Sequence, residues 1–283
     1  MITVLEVIKL SAEYLEKKGV ESPRVNAEIL LADILKCKRI DLYLSFDKPL
    51  KEDEVQLYRE TIRKRGLRVP LQYITGSVEF YGLKLLVNEN VLIPRPETEL
   101  LVENIIQNFN DKGNLRILDI GSGSGNITLS LAKNLTDSFV TGIDVSEKAL
   151  EVAIQNKELN EIINSEFKHF DILNDNISSL GKFDVVVSNP PYISNDDYSN
   201  LEPELKDYEP KISLTDNLDG LSFYRKIISL AKNILNVSGY LYFELGKDQY
   251  KEVSNLMQIE NISNTKIIKD YAGIERIIYG ELM

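Results

Sequence analysis

The 283-residue chain contains one cysteine, one histidine and no tryptophan. Each scarcity excludes a class of chemistry. A lone Cys37 cannot form an internal disulfide. With His169 as the only histidine, there are too few ligands for a Cys/His zinc site and there is no His-based nucleophilic triad to build, so no metal centre is expected. The apolar runs are strand-length, well short of the ~18 residues of a membrane helix, so no bilayer crossing is expected. The opening Met1-Ile-Thr-Val-Leu-Glu6 lacks a basic segment followed by an apolar stretch, which predicts no secretory leader and a cytoplasmic address. Fifteen glycines and nine prolines are too few for a disordered or fibrous chain.

What is present is an ordinary globular composition, 43% apolar and 27% charged, with an uneven charge. Residues 1–90 carry 15 basic and 14 acidic side chains, and the remainder carries 18 and 30, for a net charge of −11. Acidic surfaces repel phosphate backbones, so a direct nucleic-acid substrate is not expected.

The first 70 residues read as a small helical domain. Val4, Val7, Ile8, Ser11, Tyr14 and Leu15 recur at helical spacing, and Ser22-Pro23 is the expected cap and first turn of a second helix carrying Ala27, Leu30, Leu31, Ile34 and Leu35. Asp41 is expected to cap a short third helix through Leu44, and Lys51 to Arg65 a fourth, with Val55, Leu57, Tyr58 and Ile62 as its apolar positions. The basic residues Arg59, Arg63, Lys64, Arg65 and Arg68 are expected to form a solvated helix face. Residues 71–90, with Gln72 to Gly76 and Glu79 to Val87, read as a β-hairpin linker. From Leu115 strands and helices alternate, and residues 91–283 are expected to form one α/β domain with a mostly parallel sheet covered on both faces.

Within that domain the strand Leu115 to Ile120 runs into Gly121-Ser122-Gly123-Ser124-Gly125 and a helix start at Asn126. Glycines let backbone approach a ligand closely, and the helix N-terminus offers free N–H donors. The next strand ends in Asp144, 19 residues after Gly125, near the offset at which a carboxylate meets ribose hydroxyls. A nucleotide-like ligand follows, and Asn126 in place of a third fingerprint glycine disfavours a nicotinamide dinucleotide. This run resembles the first motif of class I S-adenosylmethionine-dependent methyltransferases, whose Rossmann-like fold the domain is then expected to share. That resemblance implies adenine contacts from Asp171 and the apolar Ile172 after the third strand.

The fourth strand ends in Ser188-Asn189-Pro190-Pro191-Tyr192. Two prolines fix their own φ and hold Asn189 extended, so the Asn189 amide and the Pro190 carbonyl are two rigid acceptors that can take both hydrogens of one planar –NH₂. Tyr192 can lie flat on the planar group. The tetrapeptide resembles that of methyltransferases acting on planar nitrogens, either a base amino group or a glutamine amide. With Pro94-Arg-Pro-Glu-Thr-Glu99, Pro70-Leu-Gln-Tyr-Ile-Thr-Gly76, Glu79-Phe-Tyr-Gly82 and the helical N-terminal region, the chain resembles the HemK/PrmC family, the peptide chain release factor glutamine N5-methyltransferases. The resemblance implies methylation of the Gly-Gly-Gln glutamine of class I release factors, with S-adenosylmethionine as donor and S-adenosylhomocysteine as product. It assigns cofactor binding to Gly121, Ser122, Gly123, Ser124, Gly125, Asp144, Asp171, Ile172 and Asn189. It assigns substrate binding to Asn189, Pro190, Pro191 and Tyr192, with Asn189, Pro190 and Tyr192 catalytic. The rival expectation is an amino methyltransferase acting on a nucleic-acid base.

Overall fold

The computed structural model describes residues 2–283; Met1, where the first expected domain begins, lies outside them. The chain divides into two compact units, one of residues 2–77 with 202–208 and one of 78–201 with 209–283.

The smaller unit contains α1 (Val4–Lys17), α2 (Pro23–Leu35), α3 (Arg39–Tyr43), α4 (Glu52–Gly66) and α5 (Leu71–Thr75). Val4, Ile8, Leu15, Leu30, Leu31, Val55 and Tyr58 close around one apolar core, and the Tyr58 hydroxyl donates to the Ala27 carbonyl at 3.0 Å. Local expectations fail here in identifiable ways. Ser22 precedes α2 in a left-handed conformation at φ 48° and its side chain makes no capping bond, while Asn26 Nδ2 and the Asn26 N–H both donate to the Ser22 carbonyl. Asp41 sits inside α3 and accepts from the Lys38 N–H at 2.9 Å, so that helix starts earlier than expected. Leu57 is 51% exposed, one residue off the buried stripe of α4. Residues 71–75 form a helical turn rather than a strand, since Pro70 starts the turn and the Pro70 carbonyl accepts from Tyr73 and Ile74.

The basic cluster is not one solvated face. Arg59, Arg63 and Lys64 are exposed, but Arg65 is 6% exposed and donates to Asn26 Oδ1 at 2.8 Å, to the Val69 carbonyl at 3.2 Å and to Glu204 at 2.9 Å. Arg68 pairs with Glu202 and Glu204. Arg65 and Arg68 thus find their acidic partners, Glu202 and Glu204, far away in the sequence of the same chain.

In the larger unit the chain order is β1 (Ser77–Phe80), β2 (Leu83–Leu86), α6 (Pro96–Phe109), β3 (Arg116–Ile120), α7 (Asn126–Asn134), β4 (Phe139–Asp144), α8 (Glu147–Leu159), β5 (Ser165–His169) and β6 (Phe183–Ser188). It continues through three short helices, α9 (Asn195–Tyr198), α10 (Pro203–Tyr208, which belongs to the smaller unit) and α11 (Lys211–Leu214), that the sequence reading did not anticipate. α12 (Ser222–Ile234), β7 (Leu235–Glu244), α13 (Tyr250–Ile259), β8 (Ile262–Lys269) and β9 (Glu275–Leu282) complete it. The β1–β2 hairpin belongs to this unit's own core: Phe80, Leu83 and Leu85 are buried with Leu101, Ile105, Ile127 and Val185.

Seven strands form one sheet in the order β5-β4-β3-β6-β7-β9-β8, parallel from β5 to β7 and antiparallel at β9 and β8. Alternation along β3 and β6 explains the layers. Leu118, Ile120 and Val186 face α12 and α13, whereas Ile117, Val185 and Val187 face α6 and α7, so both faces of the sheet are dry and a parallel arrangement is stable. The strand order reverses between β3 and β6, and at such a switch point the carboxyl ends of neighbouring strands diverge into a crevice.

Candidate active site

The site is built on the register of β3 against its two neighbours. Ile120 pairs with Ser188 of β6 and with Ile143 of β4, so the glycine loop, the loop beginning at Asn189 and Asp144 all leave the sheet side by side. The Ser188 hydroxyl donates to the Ile120 carbonyl at 2.7 Å, tying the two strand ends together. The crevice above them has a volume of about 200 Å³.

The glycine loop is held from below and open above. Its N–H groups at Gly121 and Ser122 donate to the Ile143 carbonyl at 2.9 and 3.0 Å, and the Gly123 N–H donates to Asp144 at 2.9 Å. Gly121 and Gly123 have φ of 78° and 53°, and a Cβ on either would meet nothing within 4 Å. Their backbone therefore faces open space wide enough for a ligand to lie against it. Among the described residues the buried Ser122 and Ser124 hydroxyls have no hydrogen-bond partner, two polar groups left for a ligand or water to satisfy. Asp144 also accepts from the Ser146 N–H at 2.9 Å; burial raises its pKa, against the N–H donors that favour its charged form.

Beneath the loop Asp119 is fully buried. One carboxylate oxygen accepts from the Thr128 N–H at 3.1 Å and from its hydroxyl at 2.7 Å, and the other has no partner. Burial, opposed by the two Thr128 bonds, pushes its pKa up to about 7.

Of the expected ligand-binding residues, Gly121, Ser122, Gly123, Ser124, Asp144, Asp171, Ile172, Asn189, Pro190 and Pro191 all line this one crevice. Ile172 is 7% exposed and presents only an apolar surface. The Asp171 carboxylate accepts from Asn174 Nδ2 and the Leu173 N–H, both at 2.8 Å, which lower its pKa. Two residues fall outside the lining. Gly125 caps α7 at φ 81°, and a Cβ there would approach Phe167 Cζ to 2.8 Å, so its smallness serves packing. Tyr192 packs its ring against the apolar core beside α12, and burial raises its pKa. The Tyr192 carbonyl accepts from Gln249 Nε2 at 2.9 Å, and Gln249 Oε1 accepts from the Gly246 N–H at 3.0 Å. This clamp fixes the exit of the two-proline loop.

Other neighbours of the site escaped the sequence reading. Asn189 Nδ2 donates to Thr98 Oγ1 at 3.3 Å, and Thr98 Oγ1 donates to Glu244 Oε2 at 2.6 Å. Arg95 lines the crevice and pairs with the buried Glu209, which also accepts from the Ile93 N–H at 3.1 Å. Thr98 and Arg95 lie within Pro94 to Glu99, and nothing local marks Glu244 or Glu209 as their partners. His169 takes no part: it is exposed, with Nε2 3.0 Å from the Val145 carbonyl.

A sheet with this order, a glycine-rich loop after β3, an acid ending β4 and a rigid Asn-Pro-Pro-Tyr loop after β6 define a class I methyltransferase. Residues 111–273 match a methyltransferase domain family, and residues 6–76 match the PrmC N-terminal domain. The chain is 46% identical to the release factor glutamine methyltransferase of Fusobacterium nucleatum, over 97% of this chain and 77% of that one. It is 38% identical to the release factor glutamine methyltransferase of Geobacter sulfurreducens, over 99% and 97%. A methyltransferase structure from Pyrococcus furiosus superimposes with a TM-score of 0.52 at 21% identity, over 71% of this chain and 89% of that one, and shows the shared fold. The chain belongs to the release factor glutamine methyltransferase family.

Proposed function

We propose that this chain transfers a methyl group from S-adenosylmethionine to the side-chain amide nitrogen of the Gly-Gly-Gln glutamine in class I release factors. When bound, S-adenosylmethionine supplies an electrophilic methyl group, leaving S-adenosylhomocysteine. The observation that carries the reading is that the glycine loop and the Asn189-Pro190-Pro191 bend line one crevice from adjacent strands. Gly121 to Ser124 would hold the amino-acid part of the cofactor against open backbone, Asp144 its ribose, and Ile172 with Asp171 its adenine. The buried, unpartnered Ser122 and Ser124 hydroxyls fit this occupant.

An amide nitrogen is a poor nucleophile because its lone pair is delocalised into the carbonyl. Asn189 Oδ1 and the Pro190 carbonyl accept its two hydrogens, raise electron density on the nitrogen and aim it at the methyl carbon. Orientation of this kind lowers barriers by up to ~7–11 kcal/mol. Bound there, S-adenosylmethionine would supply the methyl carbon and its sulfur would keep the bonding electron pair, while Asn189 and Pro190 would hold the amide nitrogen to receive the methyl. Asn189 and Pro190 offer hydrogen-bond acceptors but no base, so the displaced proton passes to water. Tyr192 contributes by anchoring the bend against the core. Residues 1–70 serve as the recognition module for the release factor, joined through 71–90 to the catalytic residues 91–283.

Mass spectrometry of a release factor after incubation with the enzyme and S-adenosylmethionine is expected to show one added methyl on the peptide holding that glutamine. Asn189→Ala is expected to cut turnover ~10²–10³-fold with affinity for S-adenosylhomocysteine largely retained. Undiminished methylation by this variant would overturn the assignment of the bend.

A further inference from the structure

Beside Asn189 stand two buried polar residues from elements remote in sequence, of which Thr98 also lines the crevice. Thr98 lies in the first turn of α6 and is 1% exposed; Glu244 ends β7 and is 2% exposed. Register brings them together: Ser188 pairs with Phe243, so Asn189 and Glu244 leave neighbouring strands as adjacent residues. A hydroxyl has a single proton. At 2.6 Å from Glu244 Oε2 the Thr98 proton is committed to the carboxylate, and Thr98 Oγ1 is left able only to accept. It accepts from Asn189 Nδ2 at 3.3 Å.

This direction of donation decides which end of the Asn189 amide is free. Oxygen and –NH₂ are almost the same size, and only hydrogen-bond partners distinguish the two orientations of the group. With its nitrogen held by Thr98, Asn189 keeps its oxygen for a ligand. Turned over, it would present a donor to the donor hydrogens of a substrate –NH₂. We propose that Thr98 and Glu244 are positioning residues that fix the polarity of the Asn189 amide, so that its oxygen faces the glutamine nitrogen. The inference rests on the function proposed above, in which Asn189 accepts from the substrate.

The arrangement is sensitive to the charge of Glu244, because a protonated carboxyl can donate to Thr98 and release the Thr98 proton towards Asn189. The groups facing Glu244 are Thr98 and Glu97 from α6, Asn189 and Tyr192 from the loop after β6, Tyr224 from α12 and Arg276 from β9. Tyr224 spends its hydroxyl on the Glu244 main-chain carbonyl at 2.8 Å, and Arg276 is engaged by Asp270 at 3.0 Å. Burial outweighs the Thr98, Arg276 and Asn189 contributions and brings the Glu244 pKa to about 7.

The test uses the full chain with a release factor, measuring kcat, KM and their pH dependence, with thermal melting and S-adenosylhomocysteine affinity as controls. Thr98→Val is expected to lower kcat about ten- to a hundred-fold, the scale of a misaligned reacting group, with cofactor-product affinity unchanged. Thr98→Ser is expected to restore kcat to within about threefold of wild type, since the serine hydroxyl donates and accepts alike. The wild-type kcat is expected to fall as pH drops through about 7. That limb is expected to vanish in Glu244→Gln, a near-isosteric change that remains available should Thr98→Val fail to fold. A folded Thr98→Val with kcat within about twofold of wild type, or an acid limb unchanged in Glu244→Gln, would overturn the proposal. Asn189→Ala separates the two levels. If it is inactive while Thr98→Val is normal, only the positioning role falls; if it is active, the function assigned to the bend falls first.

Discussion

Replacing Asp119 by asparagine tests the electrostatics beneath the glycine loop. The unfolded carboxyl titrates near its ordinary value of 3.8, whereas burial moves the folded one to about 7. The folded state therefore binds this proton more tightly. The associated stability is fully present below the unfolded pKa and is lost as pH rises through the folded one. One pKa unit corresponds to about 1.4 kcal/mol, and the two titration curves together give a loss of about 2–3 kcal/mol between about pH 5 and about pH 8. Asparagine keeps an oxygen for the two Thr128 donors and has nothing to ionise, but leaves a buried –NH₂ in place of the unpartnered oxygen, a cost of about 1–3 kcal/mol at every pH. Urea unfolding of both proteins across this range should show Asp119→Asn gaining on wild type with increasing pH, with a total swing of about 2–3 kcal/mol. Glu244 titrates in both proteins and cancels in the difference. A stability difference constant to within about 0.5 kcal/mol would refute the reasoning.

Asp144→Ala removes the acceptor that holds the Gly123 and Ser146 N–H groups, and should weaken S-adenosylhomocysteine binding by about tenfold or more in calorimetry. Gly125→Ala places a methyl 2.8 Å from Phe167 Cζ at a positive φ; a loss of about 2–4 kcal/mol is expected from strain and overpacking, partly relieved by Phe167→Leu, and melting curves read both. Arg65→Ala leaves Glu204 and Asn26 without a shared donor in a largely buried setting, and should destabilise the smaller unit by about 2–4 kcal/mol in chemical unfolding.

The alternation of strands and helices from Leu115 onward was legible because each element there carries its own signal. Ile117, Leu118 and Ile120 make Arg116–Ile120 largely apolar, and Asn126 begins a helix as expected. The part of the crevice lining that follows strand ends was legible for the same reason, because there sequence spacing and space coincide. What was missed depends on partners distant in sequence. Arg65 looks like any surface base until Glu204, 139 residues away, is brought to it. The Thr98 role requires Glu244, 146 residues on. Ser22 offered a good capping side chain, but its backbone adopted a left-handed conformation that no local rule anticipates.

The Ile120–Ser188 pairing also bears on how the catalytic spacing is maintained. The gap between the two loops is inherited from a backbone ladder in the driest part of the molecule, so neither ligand has to pull the walls into place. Opening the gap would mean parting central strands, an event near global unfolding in cost. Hydrogen exchange should therefore find the β3 and β6 amides among the slowest in the protein.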